Sequence, residues 1–266
     1  GEIAVSLGTS DTAFGLASNA SPTLCAHVYR SPLAPLEYLP LVCYSNGSLT
    51  REAVKDSDDL SDENASWTMF EDAVAETAPG NGGVLGLFYV VPEIVPRLSA
   101  MNNAASNPIW IDVYTGFPIE RADEPMPTPK YNARCRAVLE SRCIAIRVHT
   151  QQLGLVAERV LLTGGGSRSQ SFAQILADVL QVNVYRAAEE AALNSAAVGA
   201  ALRAKHALVC EQQSKFIDFL DAIAPCAPKH ELIASPNSRN AKIYDKMTKT
   251  YTQIESQLPK LINQPR

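Results

Sequence analysis

Two glycine-centred turns carry residue types that could hold a polyanion. The first is Ser6-Leu7-Gly8-Thr9-Ser10-Asp11-Thr12. Gly8 permits a tight turn and close backbone approach, and Thr9, Ser10 and Thr12 bring hydroxyls to the same turn. Consecutive amides with hydroxyl donors suit a phosphate group. An ordinary hairpin turn would use the same residues, so this turn alone does not decide. The second is Leu161-Leu162-Thr163-Gly164-Gly165-Gly166-Ser167-Arg168-Ser169. Its glycines remove side chains where a ligand could lie against the main chain. Ser167 or Ser169 can cap a following helix, whose free amides and positive end suit phosphate. It lacks the Gly-Lys-Ser/Thr ending of a Walker A loop. A strand–helix turn that simply needs glycine is the plainer reading.

The second turn also comes within one residue of Gly-x-Gly-x-x-Gly, the mark of a dinucleotide-binding oxidoreductase. That alternative needs an acid for the ribose at the end of the next strand. The chain has Tyr185-Arg186 there, with Glu189 and Glu190 only later. Arg186 could suit a phosphorylated ribose, but the first turn is left unexplained. The remaining chemistry-bearing residues are scattered. Cys25, Cys43, Cys135, Cys143, Cys210 and Cys226 form no Cys-x-x-Cys pair. None is spaced with His27, His149, His206 or His230 for zinc. Free thiols in a reducing cytoplasm are expected, without a disulfide framework or a tightly bound transition metal.

The elements around the turns change character along the chain. Glu2–Leu7, Thr12–Ala17, Cys25–Arg30 and Tyr38–Cys43 read as strands of an antiparallel meander, ending at Ser45-Asn46-Gly47. Leu49–Asp56 and Trp67–Glu76 read as helices, with the acidic stretch Asp56–Glu63 as a solvated loop between them. Pro79-Gly80-Asn81-Gly82-Gly83 is a breaker, and Val84–Val91 follows as a buried strand. Residues 92–129 read as an irregular excursion around the apolar island Ile109-Trp110-Ile111. A long helix follows from Tyr131 to about His149, on the spacing of Ala133, Ala137, Val138, Ile144, Ala145 and Val148. Strand Arg159–Thr163, loop Gly164–Arg168, helix Ser169–Leu180, strand Val182–Tyr185 and helix Ala192–Ala207 then form a βαβα unit, which implies parallel pairing. From Ser214 the chain reads as broken helix, interrupted by Pro225, Pro228 and Pro236.

Composition bounds the partners. The 266 residues are 46% hydrophobic, enough for one large core or two small ones. With a net charge of −5 and no basic stripe, duplex nucleic acid is not an expected partner. The apolar stretches are broken well short of a membrane span, and no signal-peptide pattern opens the chain. Gly1 leads at once into Ile3-Ala4-Val5, which reads as a cut at a domain boundary.

Taken together, the two turns carry a family resemblance. Ala4-Val5-Ser6-Leu7-Gly8-Thr9-Ser10-Asp11-Thr12 resembles the second phosphate loop of the FGGY sugar kinases, members of the actin-like ATPase superfamily. Val160–Ser169 resembles their adenosine motif. Ala192-Leu193-Asn194-Ser195-Ala196-Ala197-Val198-Gly199-Ala200-Ala201 resembles the small-residue helix that follows. On that helix Ala192, Ala196 and Gly199 share a face that would let it pack close to the sheet. Ser66-Trp67 and Pro79-Gly80-Asn81-Gly82-Gly83-Val84-Leu85-Gly86 resemble the eukaryotic xylulose kinases of the family. Two departures stand out: Leu139-Glu140-Ser141 where Glu-Gly is usual, and Val91-Pro92-Glu93-Ile94-Val95-Pro96 where many bacterial members have Gly-Glu-Arg-x-Pro.

The resemblance implies a ribonuclease-H-like α/β domain: a mixed sheet with antiparallel opening strands and crossover helices. It implies that residues 1–266 are the carboxy-terminal, ATP-binding domain of a two-domain kinase, acting with Mg2+ on a ketose, D-xylulose first. ATP contacts are implied at Gly8, Thr9, Ser10, Trp67, Gly164, Gly165, Gly166 and Ser169. For Trp67 a core position on one helix face with Phe70 and Val74 is an equal alternative. The sugar pocket, the base and an Asp-x-Gly first phosphate loop are implied to lie in an amino-terminal domain, since no Asp-x-Gly occurs in this chain. A non-catalytic actin-like regulatory protein is the alternative function.

Overall fold

In the computed structural model, which describes residues 1–19, 23–33, 36–56, 66–98, 108–119, 130–188 and 195–259, alternating apolar strands stack on a long buried helix. The strands are β1 (Glu2–Leu7), β2 (Asp11–Gly15), β3 (His27–Arg30), β4 (Tyr38–Tyr44), β5 (Val84–Leu87), β6 (Ile109–Asp112), β7 (Arg159–Thr163), β8 (Asn183–Ala187) and β9 (His230–Ala234). The helices are α1 (Ser48–Lys55), α2 (Trp67–Glu76), α3 (Tyr131–Gln152), α4 (Gln170–Leu180), α5 (Ser195–Gln212), α6 (Phe219–Ile223) and α7 (Ala241–Glu255).

The main sheet has the order β3-β4-β2-β1-β7-β8-β9, and β5 and β6 form a separate antiparallel pair. β1 pairs antiparallel with β2 and parallel with β7, and β7 pairs parallel with β8. The opening strands are antiparallel, as expected, but they are not a meander: β4 pairs with both β2 and β3 and lies between them. Strand alternation explains the core. Ile3, Val5 and Leu7 of β1, Ala13 of β2, Val42 and Tyr44 of β4, and Val160 and Leu162 of β7 are all buried on one face. The same core takes in Phe70 and Val74 of α2, Phe172 and Leu176 of α4, Tyr244 and Tyr251 of α7, and most of α3.

Helix α3 is buried almost all round, so its polar residues need partners inside the protein. Arg136 supplies one set: its guanidinium donates to Glu140, to the carbonyls of Val74 and Thr77, and to the Tyr244 hydroxyl. The carboxy-terminal end of α2 is thereby fastened to α3.

Several expectations change here. Val84–Val91 stops pairing at Leu87, and the island Ile109-Trp110-Ile111 is the strand that pairs with it. The tail read as broken helix contains β9, an edge strand flanked by Pro228 and Pro236. Among the described residues of α5 only His206 is buried; Ala196 and Gly199 are exposed. The small-residue face therefore does not lie against the sheet. Ala192, Glu189 and Glu190, and Ser57–Glu63 of the acidic stretch, fall outside the described residues.

Candidate functional site

Strands β1, β4, β7 and β8 run in one direction, so their carboxy-terminal ends share an edge of the sheet. This is where open α/β sheets present ligand sites. Both glycine turns emerge there, from adjacent strands whose last register pair is Ser6 with Thr163. They touch: a Cβ on Gly164 would lie 2.4 Å from the Leu7 carbonyl oxygen, and one on Gly166 would lie 2.8 Å from the Leu7 Cβ. Gly164 also has φ +82°, where only glycine is comfortable. Gly165 is different: it is exposed, and a Cβ there would meet nothing within 4 Å.

A third turn, Ser45-Asn46-Gly47 after β4, braces the first. The amides of Gly47 and Ser48 donate to the carbonyls of Thr9 and Gly8 at 3.1 and 2.8 Å. The approach is so close that a Cβ on Gly47 would lie 2.5 Å from the Thr9 oxygen. With these carbonyls turned toward the start of α1, the amides of exposed Thr9 and Ser10 have no acceptor among the described residues.

Beneath the turn lies a buried cluster of two acids and two arginines. Arg51 grips Asp11 with two bonds of 2.7 and 3.0 Å, and its Nη2 reaches the Gly8 carbonyl at 3.5 Å. Arg142 approaches Asp11 at 3.4 Å and Glu93 at 3.5 Å, donates to the Asn46 carbonyl at 2.6 Å, and lies over the Tyr44 ring. Glu93 in turn accepts from the Ser45 amide at 2.7 Å and the Asn46 side chain at 3.1 Å. Paired in this way, the buried charges avoid the heavy cost of isolated ones. The cluster fixes the floor under Gly8–Ser10 and holds Asp11 fully buried.

At the second turn the Ser167 hydroxyl donates to the Gly164 carbonyl at 2.7 Å. Ser169 caps α4, accepting from the Phe172 amide at 3.0 Å. The expectation that this helix start offers free amides to phosphate is corrected: the Glu71 carboxylate already sits there. It accepts from the Ser169 hydroxyl at 2.5 Å and from the Ser171 amide at 3.0 Å. Anionic phosphate and a resident carboxylate compete for the same positive helix end.

Trp67 opens α2 one helical turn before Glu71, behind the Ser66 cap. It is 47% exposed, with its ring edge-on to buried Phe70 at 5.5 Å and the Lys55 ammonium over it at 5.6 Å. The core-anchor alternative is corrected: Phe70 and Val74 are buried, whereas Trp67 presents ring surface to solvent. Other sequence candidates are spoken for elsewhere. Arg186, needed by the dinucleotide alternative, pairs with Glu231 at 2.8 Å. His149 is bonded between Tyr44 and Glu255. All six cysteines are free thiols. Among the described residues no cluster of three or more His, Cys, Asp or Glu could hold a metal, and no helix is long and apolar enough to cross a membrane.

Gly47, Arg51, Glu71, Glu93 and Arg142 were not marked by the sequence. Asn46-Gly47 read only as a turn. Nothing set Arg142 apart in the sequence, because the same helix also carries Arg134, Arg136, Glu140 and Arg147.

Residues 3–208 match the family described as "FGGY family of carbohydrate kinases, C-terminal domain". Xylulose kinase of Mus musculus is 31% identical over 268 residues, covering 100% of this chain and 44% of the mouse protein. Xylulose kinase 2 of Arabidopsis thaliana is 31% identical over 221 residues, covering 82% of this chain and 38% of the plant protein. The chain thus spans less than half the length of these relatives. Among solved structures, xylulose kinase from Rhodospirillum rubrum superposes with a TM-score of 0.72 at 18% identity, over 99% of this chain and 48% of that one. Gluconate kinase from Lactobacillus acidophilus gives 0.73 at 18% identity, over 98% and 48%. At such identity these two likenesses are of fold.

Proposed function

The chain belongs to the FGGY family of carbohydrate kinases, and from that premise we propose that residues 1–266 are the ATP-binding domain of a two-domain sugar kinase, carboxy-terminal to the sugar-binding domain. Its reaction is transfer of the γ-phosphate of ATP to a ketose, D-xylulose first, giving xylulose 5-phosphate. The observation that carries this is the first turn: the amides of exposed Thr9 and Ser10, without an acceptor among the described residues, above a floor of paired charges. Such a turn receives phosphate oxygens without rearranging.

The adenosine then lies over the second turn. Gly164, Gly165 and Gly166 let it approach the main chain, and Trp67 forms a wall of the same pocket. The Ser169 hydroxyl acts there through its cap and its bond to Glu71. Mg2+ fits through the nucleotide phosphates and water, because the Asp11 carboxylate is already held by two arginines. Sugar and base belong to the other domain, so the isolated chain is not a catalyst. Six free thiols accord with a cytoplasmic protein, and neither nucleic acid nor membrane is among its partners.

The test is a coupled ADP-release assay on the full-length protein across a panel of sugars. D-xylulose-dependent turnover is expected. ADP binding without turnover on any sugar would instead favour a regulatory actin-like ATP-binding protein.

A further inference from the structure

We infer that Glu71 is a positioning residue of the nucleotide site: it ties the Trp67 end of α2 to the second glycine turn and closes the positive end of α4 to phosphate. This rests on the nucleotide reading above. Helix α2 is fastened at both ends by different means. At its carboxy-terminal end the Val74 and Thr77 carbonyls accept from Arg136, and Glu76 accepts from Asn132 at 2.8 Å. At its amino-terminal end the polar tie to α4 is the Glu71 carboxylate, with one oxygen on the Ser169 hydroxyl and the other on the Ser171 amide.

Two consequences follow for a bound nucleotide. First, residues four apart share a helix face, so the bond that places Glu71 against Ser169 also bears on where Trp67, one helical turn earlier, stands. Second, Glu71 holds a negative charge at the amino end of an 11-residue helix that would otherwise attract phosphate. A triphosphate laid toward α4 meets that charge. Laid toward Gly8–Ser10, it meets open amides. Glu71 therefore sets both the wall of the pocket and the direction in which the nucleotide enters.

The test compares Glu71→Ala and Glu71→Gln with the parent in the full-length protein. Glu71→Ala should weaken ADP affinity, and raise KM for ATP, by about tenfold, with kcat and the sugar KM within about twofold. Glu71→Gln keeps one acceptor oxygen and loses the charge, so it should recover the part of the loss that comes from the tie to α4 and leave the part that comes from the charge. Within residues 1–266 Trp67 and Trp110 are the only tryptophans, so in that chain a Trp110→Phe background isolates the Trp67 emission. Its response to saturating ADP should shrink in Glu71→Ala. ADP affinity equal to the parent's in Glu71→Ala would overturn the inference. So would a matching rise in both KM values with a lowered Tm, the mark of general loosening. A parent that binds no ADP would overturn the nucleotide reading and this inference with it.

Discussion

Arg51 and Asp11 meet across 40 residues of chain as a buried, two-pronged ion pair, with Nη1 2.7 Å from one carboxylate oxygen and Nη2 3.0 Å from the other. The pair lies directly under the Gly8–Ser10 turn. Removing the acid would strand Arg51 and take one of the two acid partners of Arg142. Asp11→Ala should therefore lower stability by about 3–5 kcal/mol, the usual cost of breaking a buried pair from one side. Arg51→Lys should also destabilise, because an ammonium cannot reproduce the planar two-point grip. Urea denaturation of the two variants checks this. Loss of less than about 1 kcal/mol in both, the range of an exposed pair, would mean that the cluster is open to water.

How legible was this site? The two turns could be read because glycine clusters break otherwise regular periodicity, as at Gly8 and Gly164–Gly166. Their contact could not. It depends on β1 and β7 lying side by side, and a pairing between residues some 150 positions apart leaves no local trace. The same holds for β4 slipping between β2 and β3. β9 was hidden because its flanking prolines are equally consistent with broken helix. Partner choice was the other invisible layer. Nothing in Glu71-Asp72-Ala73 distinguishes the carboxylate that caps α4 from its exposed neighbour, and the family pattern in α5 suggested packing that Ala196 and Gly199 do not make.

Neighbouring glycines of the second turn should respond in opposite ways. Gly164 has φ +82° and no room for a Cβ against Leu7, so Gly164→Ala should cost about 1–3 kcal/mol of stability by backbone strain alone. Gly165 has open space before it. Gly165→Val should fold with nearly the parent's Tm yet block the nucleotide, because the added side chain fills the approach. Thermal denaturation and ADP calorimetry on both variants separate the two effects. Undiminished ADP affinity in Gly165→Val would move the site elsewhere.

Glu140 supplies a pH-dependent prediction. It is fully buried; Oε1 accepts from the Gly80 amide, the Arg136 guanidinium and the Tyr244 hydroxyl, and Oε2 has no partner among the described residues. Burial, the largest influence, pushes its carboxyl above the ordinary 4.5, against the pull of Arg136 and the other donors. A raised pKa means that the folded state holds the proton more tightly than the unfolded chain. The stability contributed is complete below 4.5 and is lost as pH rises through the folded value. Glu140→Gln abolishes this titration. The stability of the variant relative to the parent should therefore improve as pH rises from about 4 to about 8, read by urea denaturation at each pH. A difference that worsens with rising pH would show that Glu140 is held ionised.

A kinase base must come within hydrogen-bond reach of the attacking hydroxyl, and among the described residues Asp11, Glu71 and Asp178 are committed to other partners. Asp11 is held by Arg51 and Arg142, and Glu71 by Ser169 and Ser171. Asp178 accepts from the Asn237 amide and the Asn240 side chain, at the far end of α4. The mouse relative is more than twice as long as the stretch matched here, which leaves ample chain for a second lobe. Phosphoryl transfer depends on positioning and on charge stabilisation around the phosphates, and a single lobe supplies only its own side of that arrangement. Residues 1–266 alone should bind ADP yet show no D-xylulose-dependent ADP release at saturating Mg-ATP. Joining the remaining lobe in cis should restore turnover, because closure of the two lobes excludes water and brings the γ-phosphate to the sugar. Vigorous xylulose-dependent turnover by residues 1–266 would defeat the two-lobe argument and would require one of these paired acids to exchange its arginine or amide partners for the substrate.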